Sequence, residues 1–412
     1  MIALVVLGIV ILLIIVRRVG NLKLGIWQIM GLGAMAVLLT GQISLPDALR
    51  SVDLDVILFL FGVFVIGQAL EESGLLSRIS ERLFRKARSV DSLVLSVILV
   101  MGLASTFLMN DTVAVIGVPV VLLLSRTSRL SPKLMLLALA FGVTIGSVAS
   151  PIGNPQNLLI ALEGTVRNPF VDFFLYLFVP TAVNLMAAYI VLRLFFRKEF
   201  KRPIAPVEPV ELNDRRLATL AGISLGIMFA LILVKILIVL LRIDIEFRLT
   251  YIALLSMLPV LIFHRRRIEL VRSIDWRTLL FFISMFILMK SVWNTGVFQD
   301  IAENSSMDLS SIPMIMASGL LGSQFISNVP MVALYLPILA EMGVGAEGMA
   351  ALAAGSTIAG NLTLIGAASN IIIVQSAERR TGDTLTFLEF IKVGAPLTVV
   401  NTLVHLLFFA IV

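Results

Sequence analysis

Long apolar segments separated by short polar loops fill almost the whole chain. A membrane-spanning helix needs about 20 mostly apolar residues, and the segments of suitable length and hydropathy predict a series of such helices. They are residues 2–16, 24–41, 55–71, 134–161, 173–196, 216–241, 249–263, 278–293, 347–375 and 387–410. The loops leave no room for a soluble domain of ~100 residues. The pattern therefore predicts an all-α polytopic membrane protein in which a single membrane domain occupies residues 1–412.

Two further apolar segments, residues 92–125 and 311–341, are too long for one crossing and are interrupted near their middle. The first is broken by Met109–Thr112 and the second by Ser327–Pro330, and both breaks carry polar residues. We predict that each segment is a re-entrant hairpin, in which two half-helices enter the membrane and return to the same side. Irregular backbone at membrane depth is tolerated only where protein or water covers it.

Composition and charge agree with this picture. Hydrophobic residues make up 59% of the chain and charged residues 14%, whereas soluble domains are about a quarter charged. The net charge of +6 arises mainly from Lys and Arg in short loops, which collect on one side if both hairpins return to their own side. Because cytoplasmic loops carry the excess of Lys and Arg, we expect a cell-membrane protein with both termini outside and no nucleic-acid partner. The chain has no cysteine, which excludes disulfides and thiolate metal sites.

The two halves of the chain share an ordered set of matching residues. Asp53 matches Asp275 before a long apolar segment, and Asn110 matches Asn328 at the hairpin breaks. Further along, Gly142, Gly153 and Asn157 match Gly355, Gly366 and Asn370 in the same order. An odd number of crossings separates the two copies, so the second copy is expected to be inverted.

Inverted repeats with broken helices are typical of secondary transporters. We predict repeat 1 at residues 1–196, with its hairpin at 92–125 and a broken helix at 134–161. Repeat 2 is predicted at residues 216–412, with its hairpin at 311–341 and a broken helix at 347–375. Residues 197–215, which are basic and contain three prolines, are the predicted cytoplasmic linker.

The helix after each hairpin contains a polar interruption, Ser150–Asn157 in the first repeat and Asn361–Asn370 in the second. Prolines and glycine in the first interruption cannot continue a regular helix. Opposed to the hairpin tips, such breaks bring half-helix ends together, where carbonyls suit a small cation and helix N-termini suit an anion. The candidate substrate- or ion-binding residues are Asn110, Asp111, Thr112, Ser150, Asn154, Asn157, Ser327, Asn328, Thr363, Ser369 and Asn370.

Asp111 is the only acidic residue at the four interruptions, and its repeat counterpart is Val329. A carboxylate near the bilayer centre costs about 2.5–3.5 kcal/mol on insertion scales, which makes Asp111 a candidate proton carrier or sodium ligand. The alternative is that Asp111 caps the second leg of the hairpin. For the asparagines, the alternative to ligand contact is capping of the broken helices.

Two short motifs match enzyme signatures in the wrong context. Residues 222–226 match G-x-S-x-G inside an apolar helix with no strand before it. Residues 343–348 match G-x-G-x-x-G in a short loop. We therefore expect neither an intramembrane enzyme nor an organic cofactor. A channel is also less expected, because two closed hairpins that meet at mid-depth suit alternating access.

The tips and breaks resemble those of the ion transporter superfamily, which includes the ArsB arsenite pumps, the NhaD sodium/proton antiporters, the CitM citrate transporters and the divalent anion/sodium symporters. Asn110-Asp111 is similar to the Asn-Asp of ArsB-type proteins, and Asn328–Pro330 is similar to the Asn-x-Pro of ArsB and NhaD second hairpins. Gly153–Asn157 resembles a motif of the citrate-transporter-like group. The divalent anion symporters carry Ser-Asn-Thr at both tips, from which Met109 and Val329 depart.

This resemblance implies that the two tips and two breaks form the substrate and cation sites. It also implies a homodimer in which one domain of each chain moves like an elevator against a scaffold. The first site would contain Asn110, Asp111, Thr112, Asn154 and Asn157, and the second Ser327, Asn328, Thr363, Ser369 and Asn370. Sodium would bind near Asn110, Asn157, Asn328 and Asn370.

We predict an ion-coupled secondary active transporter of a small anion or oxyacid, with H⁺ or Na⁺ as the coupling ion. Arsenite or antimonite efflux is favoured over citrate or dicarboxylate transport, because the tips resemble those of ArsB and no arginine stands at the breaks. The alternative function is sodium/proton antiport, with Asp111 as the exchanging carboxylate.

Overall fold

The computed structural model of the protein describes residues 2–16, 18–19, 22–75, 78–79, 87–166, 168–203, 212–241, 247–297, 300, 308–381 and 385–412. Within these residues the chain forms eighteen α-helices and one pair of two-residue strands, Arg18–Val19 with Leu22–Lys23. The first nine helices are α1 (Ile2–Val16), α2 (Ile26–Leu39), α3 (Leu45–Ser51), α4 (Leu54–Ser73), α5 (Val90–Phe107), α6 (Asn110–Thr127), α7 (Pro132–Gly146), α8 (Pro155–Glu163) and α9 (Pro169–Phe195). The next nine are α10 (Arg215–Leu240), α11 (Leu249–Phe263), α12 (Arg267–Ser273), α13 (Trp276–Trp293), α14 (Ile312–Ile326), α15 (Asn328–Glu341), α16 (Ala346–Leu362), α17 (Ala368–Thr381) and α18 (Phe387–Phe409). Three short 3-10 turns lie at Ser147–Ala149, Glu199–Lys201 and Leu364–Gly366.

The prediction of an all-α polytopic membrane protein is confirmed. Eight helices of the described chain are long and apolar enough to cross a membrane, namely α4, α5, α6, α7, α9, α10, α13 and α18. The helices α3 and α12 were not predicted, because each has seven residues and carries charge, which leaves no apolar run. Both end just before an aspartate, Asp53 or Asp275, that caps the next helix.

The helices of the second half repeat those of the first in order, so that α10 corresponds to α1, α11 to α2, and so on to α18 and α9. Packing partners are exchanged in the same way, because α2 packs against α13 while α11 packs against α4. Such an exchange is what an approximate two-fold axis between the repeats produces. The exact limits of the repeats at residues 1–196 and 216–412 stay a prediction, and residues 204–211 of the predicted linker lie outside the described part of the chain.

Both hairpins form as predicted, with tips at residues 108–109 between α5 and α6 and at Ser327 between α14 and α15. At the first tip, the N–H of Asn110 donates to the carbonyl of Gly153 at 2.8 Å, so the tip meets the break between α7 and α8. The second leg α6 packs beside α17, the second half of the other repeat's broken helix, and α15 packs beside α8. Each hairpin therefore meets the broken helices of both repeats at its tip or along its second leg.

The helices form two bundles. Helices α1–α4 pack with α10–α13, and helices α5–α9 pack with α14–α18; we call these the scaffold bundle and the core bundle. Near the axis of the core bundle, Asn184 of α9 and Asn401 of α18 share a buried network in which His405 also lies. The bundles meet where α13 contacts α15, where α1 contacts α14, and where α4 contacts α6 and α8.

Glycines allow the closest helix contacts inside the core bundle. A β-carbon added to Gly142 of α7 would lie 2.9 Å from the carbonyl oxygen of Ile98 on α5, and its repeat mate Gly355 faces Met316 at 2.6 Å. Membrane helices use such small residues to let backbones approach. The hairpin therefore packs on the broken helix through backbone contact in both repeats.

Replacement of Gly142 by alanine is expected to destabilise the protein by about 1–3 kcal/mol through overpacking, although alanine favours the helix itself. The matched control is Gly226→Ala, because nothing lies within 4 Å of a β-carbon at Gly226. Thermal unfolding in detergent measures both. A Gly142→Ala protein as stable as Gly226→Ala would contradict the close contact.

Candidate functional site

A cavity of about 530 Å³ lies between the two bundles, at the point where the hairpin tips and the broken helices meet. Four half-helices of the core bundle begin at this cavity. Their lining residues are Asn110 and Asp111 of α6, Pro155 and Gln156 of α8, Ser327 and Asn328 of α15, and Ala368 of α17. The first turns of the scaffold helices α2 and α13 complete the wall. The positive ends of four helix dipoles thus converge on one space, which suits a negatively charged ligand.

At the first tip, Asp111 lies in the first turn of α6, but the N-cap position is Met109, which makes no side-chain capping bond. The Oδ1 atom of Asp111 is buried and has no hydrogen-bond partner within the described part of the chain. Asp111 also lines a second cavity of about 70 Å³, together with Gln68 and Thr112. Among the described residues the carboxylate of Asp111 accepts from no N–H group at the start of α6, and Asp111 lines two cavities, which favours contact with a ligand over capping alone.

At the second tip, Ser327 has φ +72° and ψ 160°, a backbone conformation that is almost restricted to glycine and costs on the order of 1–3 kcal/mol. The next residue, Asn328, is buried, and its Oδ1 atom has no hydrogen-bond partner. Strained backbone is concentrated at ligand-binding sites because the surrounding structure must hold it in place. The second tip therefore combines a strained turn with an unsatisfied oxygen.

The first break is closed by internal hydrogen bonds. The Nδ2 atom of Asn157 donates to the carbonyls of Ser147, Val148 and Ser150 at 3.0–3.2 Å, and its Oδ1 atom accepts from Thr357 of α16 at 3.3 Å. Asn154 caps α8 through the N–H of Asn157 and also donates to Thr357. Ser150 accepts from the N–H of Ile152. The amide groups of this break hold the broken helix in shape.

The second break leaves several oxygens without partners. Asn370 donates from Nδ2 to the carbonyl of Gly360 at 2.6 Å, but its Oδ1 atom is buried and unpaired. The hydroxyls of Ser369 and Thr144 are also buried and unpaired. Thr144 is the repeat mate of Thr357 and lies against Gly360. Thr363 differs, because it bonds Gln324 at 2.8 Å and caps the turn at Gly366.

The predicted residues therefore fall into three groups. Asn110, Asp111, Ser327 and Asn328 line the main cavity, and Thr112 lines the smaller one. Ser369 and Asn370 lie at a break with unpaired oxygens. Ser150, Asn154, Asn157 and Thr363 are used in hydrogen bonds that shape the breaks. The amide oxygen and nitrogen of Asn157 already have hydrogen-bond partners, and sodium near Asn110, Asn157, Asn328 and Asn370 stays a prediction.

Sequence reasoning missed the scaffold side of the cavity. Arg277 and Asp275, from the start of α13, line it together with Trp27 of α2, and Gln375 of α17 faces them from the core bundle. In the sequence, the match of Asp275 with Asp53 indicated the internal repeat, but it was not used to predict a site. The signal that was available is that Arg277 stands two residues after this marker, at a helix N-terminus.

The repeat-related residues Asn157 and Asn370 are expected to respond differently to replacement by alanine. Asn157→Ala removes four buried hydrogen bonds, each worth about 1 kcal/mol, and should lower the thermal unfolding temperature strongly. Asn370→Ala should lower it less, and should instead weaken the dependence of transport on its coupling cation by about tenfold if its free oxygen binds that ion. Equal losses of stability with unchanged cation dependence would contradict this difference.

Comparison with known proteins agrees with the fold. Residues 9–351 match the family model described as citrate transporter. The chain belongs to the citrate transporter family. An uncharacterized transporter of Mycobacterium tuberculosis is 30% identical over 394 residues, which cover 90% of this chain and 89% of the relative. The P protein of Homo sapiens is 26% identical over 479 residues, covering 94% of this chain and 56% of the P protein.

The fold also matches a solved structure. The YdaH transporter of Alcanivorax borkumensis, described as having an unusual topology, superimposes with a TM-score of 0.60 at 15% sequence identity. The match covers 99% of this chain and 96% of the YdaH chain. The YdaH match shows that the two proteins share a fold. The family model and the Mycobacterium tuberculosis relative confirm the resemblance to citrate transporters, and the chain is a multi-pass membrane transporter of this type.

Proposed function

We propose that this protein is an ion-coupled secondary active transporter of a small organic anion, which binds in the cavity between the hairpin tips. The observation that carries the proposal is the convergence of four half-helix N-termini on one cavity of about 530 Å³. Positive dipole ends and free N–H groups favour an anion. The volume lies within the range of about 300–1,000 Å³ that is usual for sites of small organic molecules.

The substrate we now favour is a carboxylate such as citrate. No arginine stands at the breaks, which favoured arsenite or antimonite on sequence grounds, but Arg277 lines the cavity from the scaffold. A guanidinium matches the geometry of a carboxylate, and the family description names citrate. Arsenite, which has far fewer atoms than the cavity accommodates, stays a prediction for the same assay.

We propose Asp111 and the second break as the coupling-ion sites. Asp111 lines the cavity, and its buried Oδ1 atom has no partner among the described residues, which suits a carboxylate that binds and releases a proton. The free oxygens of Thr144, Ser369 and Asn370 suit a small cation, since hard cations take oxygen ligands. Sodium/proton antiport is the second candidate function, and it would use the same carboxylate without an organic substrate.

The proposed movement is of the elevator type, with the core bundle carrying the tips and the scaffold bundle fixed. The cavity lies between the bundles and opens beside the first turns of α2 and α13, which charge counting places at the cytoplasm. On the opposite side, α4 and α8, which are the repeat mates of α13 and α17, are in contact. This conformation would be the inward-facing one, with both termini outside the cell.

Reconstituted protein tests the proposal directly. Proteoliposomes would be given radiolabelled citrate, succinate or arsenite under an imposed proton gradient, sodium gradient or neither. We expect accumulation of a carboxylate above equilibrium with one of the two gradients. Sodium or proton flux without movement of any anion would favour the antiporter, and flux that no gradient drives uphill would contradict ion coupling.

A further inference from the structure

Arg277 is a cation that faces the substrate cavity from the scaffold bundle. It lies in the first turn of α13, is exposed to the cavity, and makes no ion pair with the described residues. The two carboxylates nearest to it along the cavity wall are Asp275 and Asp111. Asp275 is occupied in capping α13, where it accepts from the N–H of Thr278 at 3.2 Å and from its hydroxyl at 2.6 Å. Asp111 belongs to the core bundle.

The repeat mate of Arg277 is Asp55, in the first turn of α4 on the opposite side of the protein. Asp55 is fully engaged with the scaffold, because Arg248 contacts it at 3.2 Å and the hydroxyl of Thr250 donates to it at 2.7 Å. These partners stand at the start of α11. The start of α2, which corresponds to α11, offers Arg277 no acid, and its Gln28 bonds back to the N–H of Gly25 at 2.9 Å.

Comparison of the two repeats therefore shows that Arg277 does not join two scaffold helices, as its repeat mate Asp55 does. On one side, the residue at this register joins two scaffold helices. On the other side, the charge is reversed and the partners are absent, so the guanidinium is available to the cavity. The guanidinium of Arg277, beside four helix N-termini, has N–H donors that can form two parallel hydrogen bonds with one carboxylate.

We propose that Arg277 is a specificity-determining residue that binds a carboxylate group of the transported anion only while the cavity opens toward the start of α13. The proposal rests on the anion-transport function proposed above and deepens it. Because Arg277 belongs to the scaffold and the tips belong to the core bundle, a moving core carries the anion away from Arg277. In the opposite conformation the anion meets Asp55, whose charge is already paired. The two sides of the membrane should therefore differ in apparent affinity.

The first test measures citrate transport from each side separately, in right-side-out and inside-out vesicles. Arg277→Gln should raise KM by about tenfold or more on the side to which the cavity opens, as loss of a charge-assisted bond predicts, and should leave KM on the other side nearly unchanged. Arg277→Lys should recover part of the affinity, since it keeps the charge but loses the fork. The control is Arg272→Gln, an exposed arginine at the end of α12.

Equal changes on both sides, or no change on either, would overturn the proposal. A second measurement does not depend on transport. In an Ala368→Cys protein, the modification rates of the cavity by anionic and cationic thiol reagents are compared with and without Arg277→Gln. Loss of the guanidinium should lower the anionic-to-cationic rate ratio by about threefold or more. If wild-type protein carries no anion but the ratio falls, the proposed function fails while the electrostatic role of Arg277 stands. An unchanged ratio overturns that role.

Discussion

Replacement of Asp111 by asparagine is expected to abolish gradient-driven accumulation of the substrate while leaving exchange across the membrane. Asparagine has the shape of the protonated aspartate but cannot take up or release a proton. The first hairpin tip would then stay neutral throughout the transport cycle. The core bundle could still move with the anion bound. In proteoliposomes, accumulation should fall to the equilibrium level, whereas counterflow of labelled against unlabelled citrate should persist.

The matched control for this change is Asp91→Asn, on the other leg of the same hairpin. Asp91 makes an ion pair with Arg193 at 2.8 Å and accepts from the hydroxyl of Tyr189, away from the cavity. Its loss should affect stability but not coupling. If Asp111→Asn protein still concentrates substrate against its gradient, Asp111 does not carry the coupling ion. Loss of counterflow as well would make Asp111 a part of the substrate site.

Replacement of Asn328 by aspartate is expected to lower kcat/KM for the anion by about ten- to a hundredfold. The change keeps the size of the side chain and adds a negative charge at the second tip. Two like charges about 4 Å apart repel by about 1 kcal/mol in water and about 4 kcal/mol at an effective dielectric constant of ~20. The cavity is open to water on one side, so the loss should fall between these limits.

Initial rates of citrate uptake over a range of concentrations measure this loss. The control is Asn294→Asp, which places the same charge at the exposed C-cap of α13, away from the cavity. A neutral replacement, Asn328→Ala, separates charge from shape. If Asn328→Asp transports as well as the Asn294→Asp control, the second tip does not contact the anion. A loss as large with alanine as with aspartate would assign the effect to the missing amide instead of the charge.

Most of the fold could be predicted from the sequence because membrane segments leave strong signals. Hydropathy located the crossings, and the polar breaks at Asn110 and Asn328 located the hairpin tips, since a lipid-facing helix does not tolerate such residues without a reason. The repeat was visible because glycines such as Gly142 and Gly355 are fixed by the same backbone contact in both halves. The helices α3 and α12 were missed because short, charged helices at the membrane surface carry no hydropathy signal.

The candidate site was only partly predictable. The sequence treats the two breaks alike, since Asn157 and Asn370 occupy the same register. Whether the amide of such an asparagine has hydrogen-bond partners depends on residues far away in the chain. At the first break the hydroxyl of Thr357 donates to Asn157, whereas its repeat mate Thr144 has no partner among the described residues. Arg277 was missed for a similar reason, because the packing of the scaffold bundle against the core brings it to the tips.

The central claim is that the transported anion binds where the four half-helices begin. Because the chain contains no cysteine, an Ala368→Cys protein carries a single thiol at this point. In proteoliposomes that accumulate citrate, saturating citrate with the coupling ion should slow labelling of this thiol by about tenfold at ten times the dissociation constant, while a Ser273→Cys control on the nearby surface is unaffected. Labelling of Ala368→Cys at the same rate with and without citrate, in protein that transports it, would contradict the claim.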